Sequence, residues 1–195
     1  MRFIINYLNL KFFGLLNKSK LISPYIHYKS IRKSKYTTVN SRTYVDNMTK
    51  IGNYSYIGMN CKITSASIGN YCSIADNVTI GPGEHDLSKI STSAAFYSNP
   101  YNELTQKNTI IESDVWIGVN STIKRGVTLQ KGSVVGAHSF VTNDVPPYAI
   151  VVGSPAKILR YRFPSEIITL LISSNWTDCP LEKAKDIHKK LNDQL

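Results

Sequence analysis

From Ile111 onward an aliphatic residue recurs at every sixth position: Ile111, Ile117, Ile123, Leu129, Val135 and Val141. Four residues after each stands a small or β-branched one: Val115, Ser121, Val127, Ser133, Ser139 and Val145. A helix repeats every 3.6 residues and a half-buried strand every two, so neither generates a period of six. A stack of six-residue units does. Each unit is a short strand plus a turn, and three units close one triangular coil. The aliphatic side chain points into the prism and the small one fits beside it where the chain turns. Successive coils pair as parallel strands about 4.8 Å apart. No coil buries its apolar face alone, so stability comes from stacking.

The same period runs through Val39, Val45, Ile51, Ile57 and Ile63, slips by one residue, and resumes at Ile68, Ile74 and Ile80. Its small partners are Thr43, Thr49, Ser55, Cys61, Ser67, Cys72 and Val78. Fourteen aliphatic positions at three per coil predict an all-β repeat of four to five coils over residues 39–148. One stretch, residues 82–109, contains no hexapeptide, and a loop this long within a compact repeat is functional or disordered. Phe96, Tyr97 and Tyr101 argue for an ordered loop thrown out from one corner.

The flanks read differently. In residues 1–38, Ile4, Leu8, Phe12 and Leu15 lie at helical spacing, which predicts an amphipathic helix that docks on the body or rests on a membrane. No apolar run reaches the roughly 18 residues of a spanning helix, and no small-residue cleavage site follows. Residues 17–38 read as a polar, basic connector. After Val145, Pro146 and Pro147 end the regular coils. Residues 149–195 form an extension with two helical segments, one capped by Ser165 and one from Leu181 to Leu191, expected to cover the open end of the prism.

Charge sharpens this division. Of a net +10, residues 1–50 carry +9, with ten Lys/Arg and one acid, Asp46, whereas the repeat body is nearly neutral. Such a segment is either a solvated surface or an attraction for anionic partners. It lacks any recognised nucleic-acid module, so nucleic acid is not expected, whereas an anionic inner membrane fits. Cys61, Cys72 and Cys179 have no metal-ligand spacing. Two of them hold inward repeat positions as packed thiols, which suits a reducing cytoplasm.

The segment DVWIGVNSTIKRGVTLQKGSVVGAHSFVTNDVPPYAIVVGSPAKILR resembles the signature of hexapeptide-repeat acyltransferases with a left-handed parallel β-helix. The stretch IGNYCSIADNVTIGPGEHDLSKISTSAAFY and the tail RYRF…ITLL…NW resemble, more narrowly, the xenobiotic-type, chloramphenicol-acetyltransferase-related O-acetyltransferases. The resemblance spans about residues 45–190. It implies a homotrimer with sites between subunits, acetyl-CoA as co-substrate and no metal. The aromatic-rich insertion of antibiotic-modifying members is missing here, which ranks a glycan acceptor, in a surface polysaccharide or its precursor, above a chloramphenicol- or streptogramin-like one. A non-catalytic β-helix scaffold is the alternative outside catalysis.

Transfer of an acetyl group to an alcohol needs a base titrating near about pH 7, usually a histidine. His27 and His188 fall in surface regions, and His138 in a repeat turn. His85, in GPGEHD at the start of the loop, matches the family's catalytic histidine. Ser91, Thr92, Phe96 and Tyr97 are candidates for the acceptor pocket, unless the loop simply packs on itself. Trp116, one residue before an inward Ile117, should face outward, and the resemblance sets it against the pantetheine arm. Backbone groups at Gly136, Ala137 and Thr142 would hold that arm, and Lys157 and Arg160 match the positions that meet the phosphates. On sequence alone, Lys157 and Arg160 read equally as a solvated helix-end pair.

Overall fold

The computed structural model describes residues 2–192. The chain forms a parallel β-helix of about seven turns, flanked by helices. Apart from the closing hairpin its strands are two or three residues long and lie on three faces, and hydrogen bonds run from each coil to the next. Every inward aliphatic residue stacks on its counterpart one coil away. Leu21, Val39, Ile57, Ile74, Ile117, Val135 and Val151 form the column of the first face. On the second face, Ile26, Val45, Ile63, Ile80, Ile123 and Val141 are in register. Ile51, Ile68, Ile111, Leu129 and Val145 make the third. All are buried.

The small residues do more than fit. At several corners a hydroxyl or thiol donates to a carbonyl of the neighbouring coil: Thr43 to Gly58 at 2.7 Å, Ser55 to Gly69 at 2.9 Å, Ser121 to Gly136 at 3.0 Å and Cys72 to Glu112 at 3.1 Å. A corner carbonyl released from the strand ladder is thereby satisfied inside the prism, where leaving it bare would be costly.

The coil count exceeds the four to five expected, because the prism begins before Val39 and ends beyond Val145. Residues 17–38 are not a plain connector. Lys20–Leu21 pairs with Thr38–Val39, Ile26 bridges Val45, and the short helix carrying Ile31 packs on Lys50–Ile51. This first coil was illegible because its aliphatic residues are spaced five apart. Beyond Pro147, Ala149–Gly153 adds one more parallel strand, and Ala156–Tyr161 folds back on it antiparallel. The slip between Ile63 and Ile68 shortens one corner, so Ala66 turns inward and Ser67, expected there, is half-buried against Asn108.

Helix α1, Arg2–Leu16, docks on the body through Leu10, Phe13 and Gly14 and covers the first coil. The tail helices, Ser165–Ser173 and Leu181–Asn192, do not cover an open end. They lie along the corner between the third and first faces, where Leu171 and Leu191 pack on Tyr148. Pro164, not Ser165, stands at the helix cap. At the same corner Tyr36, Tyr54 and Tyr71 stack with centroids 5.1 and 4.8 Å apart, and Trp176 continues the stack from the tail. The Tyr71 hydroxyl donates to the Cys179 carbonyl at 2.6 Å.

Candidate active site

The loop leaves the second face after Thr79–Ile80 and returns as Thr109–Ile111 on the third. Two buried groups hold it. Arg125, 6% exposed, lies beneath it: Nε donates to Pro82 O at 3.0 Å, Nη1 to Thr105 O and Lys107 O at 3.1 and 2.8 Å, and Nη2 to Thr64 Oγ1 at 2.8 Å and to Gly81 O. One planar guanidinium thus ties the outgoing strand end to the returning one. Burial draws this guanidinium down from its ordinary value. The second anchor is Asp46, 3% exposed, which accepts from Thr49 N–H and Oγ1–H, from Ser65 N–H and, at 2.7 Å, from the Tyr101 hydroxyl on the loop helix Pro100–Leu104. Burial first, and then the Asp46 carboxylate, push the Tyr101 hydroxyl well above its usual range.

Under the loop lies a cavity of about 480 Å³ lined by His85, Lys89, Tyr97, Gln106, Lys124 and Arg125, among others. His85 is exposed at it, with its ring edge-on to Tyr97 at 6.0 Å between centroids. Tyr97 is only 8% exposed: its hydroxyl accepts from Asp86 N–H at 3.0 Å and its ring lies 3.9 Å from Lys89 Nζ. The flanking carboxylates are engaged elsewhere. Asp86 accepts from Ser88 N–H and Oγ–H, which hold its carboxyl below the ordinary range, and Glu84 lies 3.7 Å from Lys124. Of the four loop residues singled out from the sequence, only Tyr97 lines this cavity. Ser91 accepts from Ser93 N–H within the loop, Thr92 is exposed, and Phe96 points outward, 71% exposed.

A second cavity, about 470 Å³, lies on the first face between Tyr71, Ser73, Trp116, Val134, Gly136 and Ile150. Trp116 is 55% exposed, as strand alternation requires. The last hairpin sets Arg160 opposite Ile150 and Lys157 opposite Val152, so both cations are strand residues on this face and not a helix end. A side chain at Gly136 would strike Val152, so the coil corner and hairpin approach closely here. Ala137 and His138 follow at the next corner, with His138 Nε2 3.3 Å from Asn120 Nδ2. Thr142 stands apart, half-buried at the corner from which the loop departs two coils earlier. Within one chain, therefore, His85 occupies the corner opposite the face that carries Trp116.

Sequence reasoning missed Arg125 and Asp46. The available signals were slight: Asp46 is the lone acid of the first fifty residues, and Arg125 precedes Gly126 in a turn. Among the described residues, no group of three or more His, Cys, Asp or Glu is placed to hold a metal ion.

Comparison with known proteins follows the same outline. The family model for bacterial transferase hexapeptide (six repeats) matches residues 48–82 and 108–143, and so skips the loop. A chloramphenicol acetyltransferase of Klebsiella aerogenes is 32% identical over 179 residues, 86% of this chain and 85% of that protein. The chain belongs to the hexapeptide-repeat acetyltransferases. A galactoside O-acetyltransferase of Escherichia coli K12 is 31% identical over 68% of this chain and 67% of its own length. With an Escherichia coli chloramphenicol acetyltransferase the identity is 36%, but the match spans 61% of this chain and 62% of that protein. Among solved structures, a hexapeptide-repeat acetyltransferase of Vibrio cholerae complexed with acetyl coenzyme A superimposes with a TM-score of 0.55 at 28% identity, covering 77% of this chain and 74% of that one. The two halves of this hexapeptide acetyltransferase that match the family model are thus the prism on either side of the His85 loop.

Proposed function

We propose that this protein transfers the acetyl group of acetyl-CoA to a hydroxyl of a glycan, in a surface polysaccharide or its precursor, with His85 as general base. His85 takes the proton of the acceptor hydroxyl as its oxygen attacks the thioester carbonyl. The carbon–sulfur bond then breaks, and the proton passes to the departing thiolate of coenzyme A. No bond to the enzyme forms, so both substrates are held at once, which removes much of the entropic barrier. The apolar floor of the Trp116 cavity suits the pantetheine arm, and Lys157 and Arg160 on the adjoining hairpin suit the phosphates.

The lining of the His85 cavity carries the choice of acceptor. Polar and charged side chains line this cavity, with Gln106 and Lys107 beside the ion pairs Lys89–Glu103 and Lys124–Glu84, a setting for a polyhydroxyl ligand. Acetylation of an antibiotic is the second reading, favoured by the match to a chloramphenicol acetyltransferase over most of both chains. Because His85 and Trp116 sit on opposite sides of one prism, a working site draws them from two copies, and we take the assembly to be a homotrimer.

The test is release of free thiol from acetyl-CoA in the presence of galactosides, other sugars and chloramphenicol. Turnover with sugars but not chloramphenicol, falling about 10³-fold in His85→Ala, is expected. Turnover with chloramphenicol alone would transfer the assignment to the antibiotic, and full activity in His85→Ala would remove the base.

A further inference from the structure

Outside the two cavities, the outer side of α1 is a feature without a role. Its inner side is fixed. Asn6 donates to Ile26 O at 2.9 Å and accepts from Tyr28 N–H at 3.0 Å, Asn17 donates to Arg32 O at 3.0 Å, and Leu10 is buried between them. Held in that orientation, the helix presents Ile4, Ile5, Leu8, Phe12, Leu15 and Leu16 to solvent, each half or more exposed. A contiguous apolar patch of this kind marks an interaction surface.

The charge around it selects the partner. Lys18, Lys20, Lys29, Arg32, Lys33 and Lys35 are all exposed on the first coil, whose strand and short helix α1 packs against. Among the described residues, none of them enters a salt bridge. Asp46, the single acid of the first fifty residues, is buried with both carboxylate oxygens bonded, so it offsets nothing at the surface. A second copy docking by the same surface would oppose like charges. A bilayer with anionic headgroups matches both components, taking the apolar side chains at the acyl boundary and the cations at the headgroups. Among the described residues no helix is long and apolar enough to cross a membrane, and α1 spans roughly 22 Å, so it would lie in the plane of the interface.

We infer that the outer face of α1 and the cations of the first coil form a docking surface for an anionic bilayer. Lipid would cover the helix face that the prism leaves bare, with the cations of the first coil reaching headgroups at its margin.

Co-sedimentation of the full chain with phosphatidylcholine vesicles, with and without phosphatidylglycerol, tests this without acetyl-CoA or acceptor, so its outcome is independent of the proposed chemistry. Binding should require phosphatidylglycerol and weaken at high salt. Leu8→Asp/Phe12→Asp should reduce it on the order of 100-fold, and Lys29→Glu/Lys33→Glu about tenfold or more. The first pair changes side chains outside the packed face, and the second leaves α1 untouched. Absence of binding by folded wild type, equal binding to neutral vesicles, or binding indifferent to both double variants would overturn the inference. So would a change of sedimenting mass in Leu8→Asp/Phe12→Asp when the wild type ignores vesicles, which would identify a second copy as the occupant.

Discussion

At the scale of single residues, the prism is built from side chains whose second role is to satisfy carbonyls. Cys72 illustrates it: the thiol sits in the aliphatic core, donates to Glu112 O at 3.1 Å, and is pushed by burial up to about 12 from 9.0. The folded state therefore holds its proton more tightly than the unfolded chain. Stability from this group is complete below about pH 9 and is lost as pH rises towards 12. Between those limits the loss approaches about 1.4 kcal/mol per pH unit. Denaturant midpoints measured from pH 8 to 10.5 should fall more steeply for wild type than for Cys72→Ala, whose curve starts lower because the replacement leaves a small cavity. The same burial makes Cys72 unreactive towards alkylating reagents in the native protein, whereas the half-exposed Cys179 should be modified first.

Among the elements, the loop differs from the coils in what holds it. A coil is fixed by two neighbours and a column of aliphatic side chains, whereas residues 82–109 depend on Arg125 and on the Asp46–Tyr101 bond. Arg125→Met removes the donors of several buried carbonyls at once and should cost about 3 kcal/mol. As a positioning residue it also has a kinetic signature. kcat should fall while KM for acetyl-CoA stays near wild type, and hydrogen exchange should rise in the loop amides and not in the prism. A uniform rise in exchange would mean that Arg125 supports only the fold. Tyr97 belongs to the same argument, because its buried ring and its bond to Asp86 N–H shape the segment that presents His85.

At the scale of the whole molecule, a triangular prism puts one corner opposite one face. The loop corner carries His85 and the opposite face carries Trp116, Gly136, Lys157 and Arg160. A site shared between copies has a direct test. His85→Ala and Trp116→Ala chains, each weak alone, should regain activity when unfolded together and refolded as mixed oligomers, with about one quarter of the sites intact on random assembly. No recovery in a mixture that sediments as trimers would return both residues to a single chain. The proposed docking surface also belongs to this scale, since the outer face of α1 and the cations of the first coil would act only as a combined patch.

The sequence by itself determined the repeat, the inward columns, the ordered loop and the outward Trp116, because each follows from a period that local geometry imposes on neighbouring residues. The roles proposed for His85 and for the hairpin cations Lys157 and Arg160 rest on motif resemblance alone. Only the tertiary structure showed the first coil, whose spacing departs from six, and the single side chains that bridge distant segments: Arg125 to Pro82 and Lys107, Asp46 to Tyr101, and Tyr71 to Cys179. Such bridges leave no periodic trace, since a hydrogen bond across 43 or 55 or 108 residues constrains one position at each end and nothing between. The same holds for the opposition of His85 and Trp116, which depends on the number of corners between them around the prism.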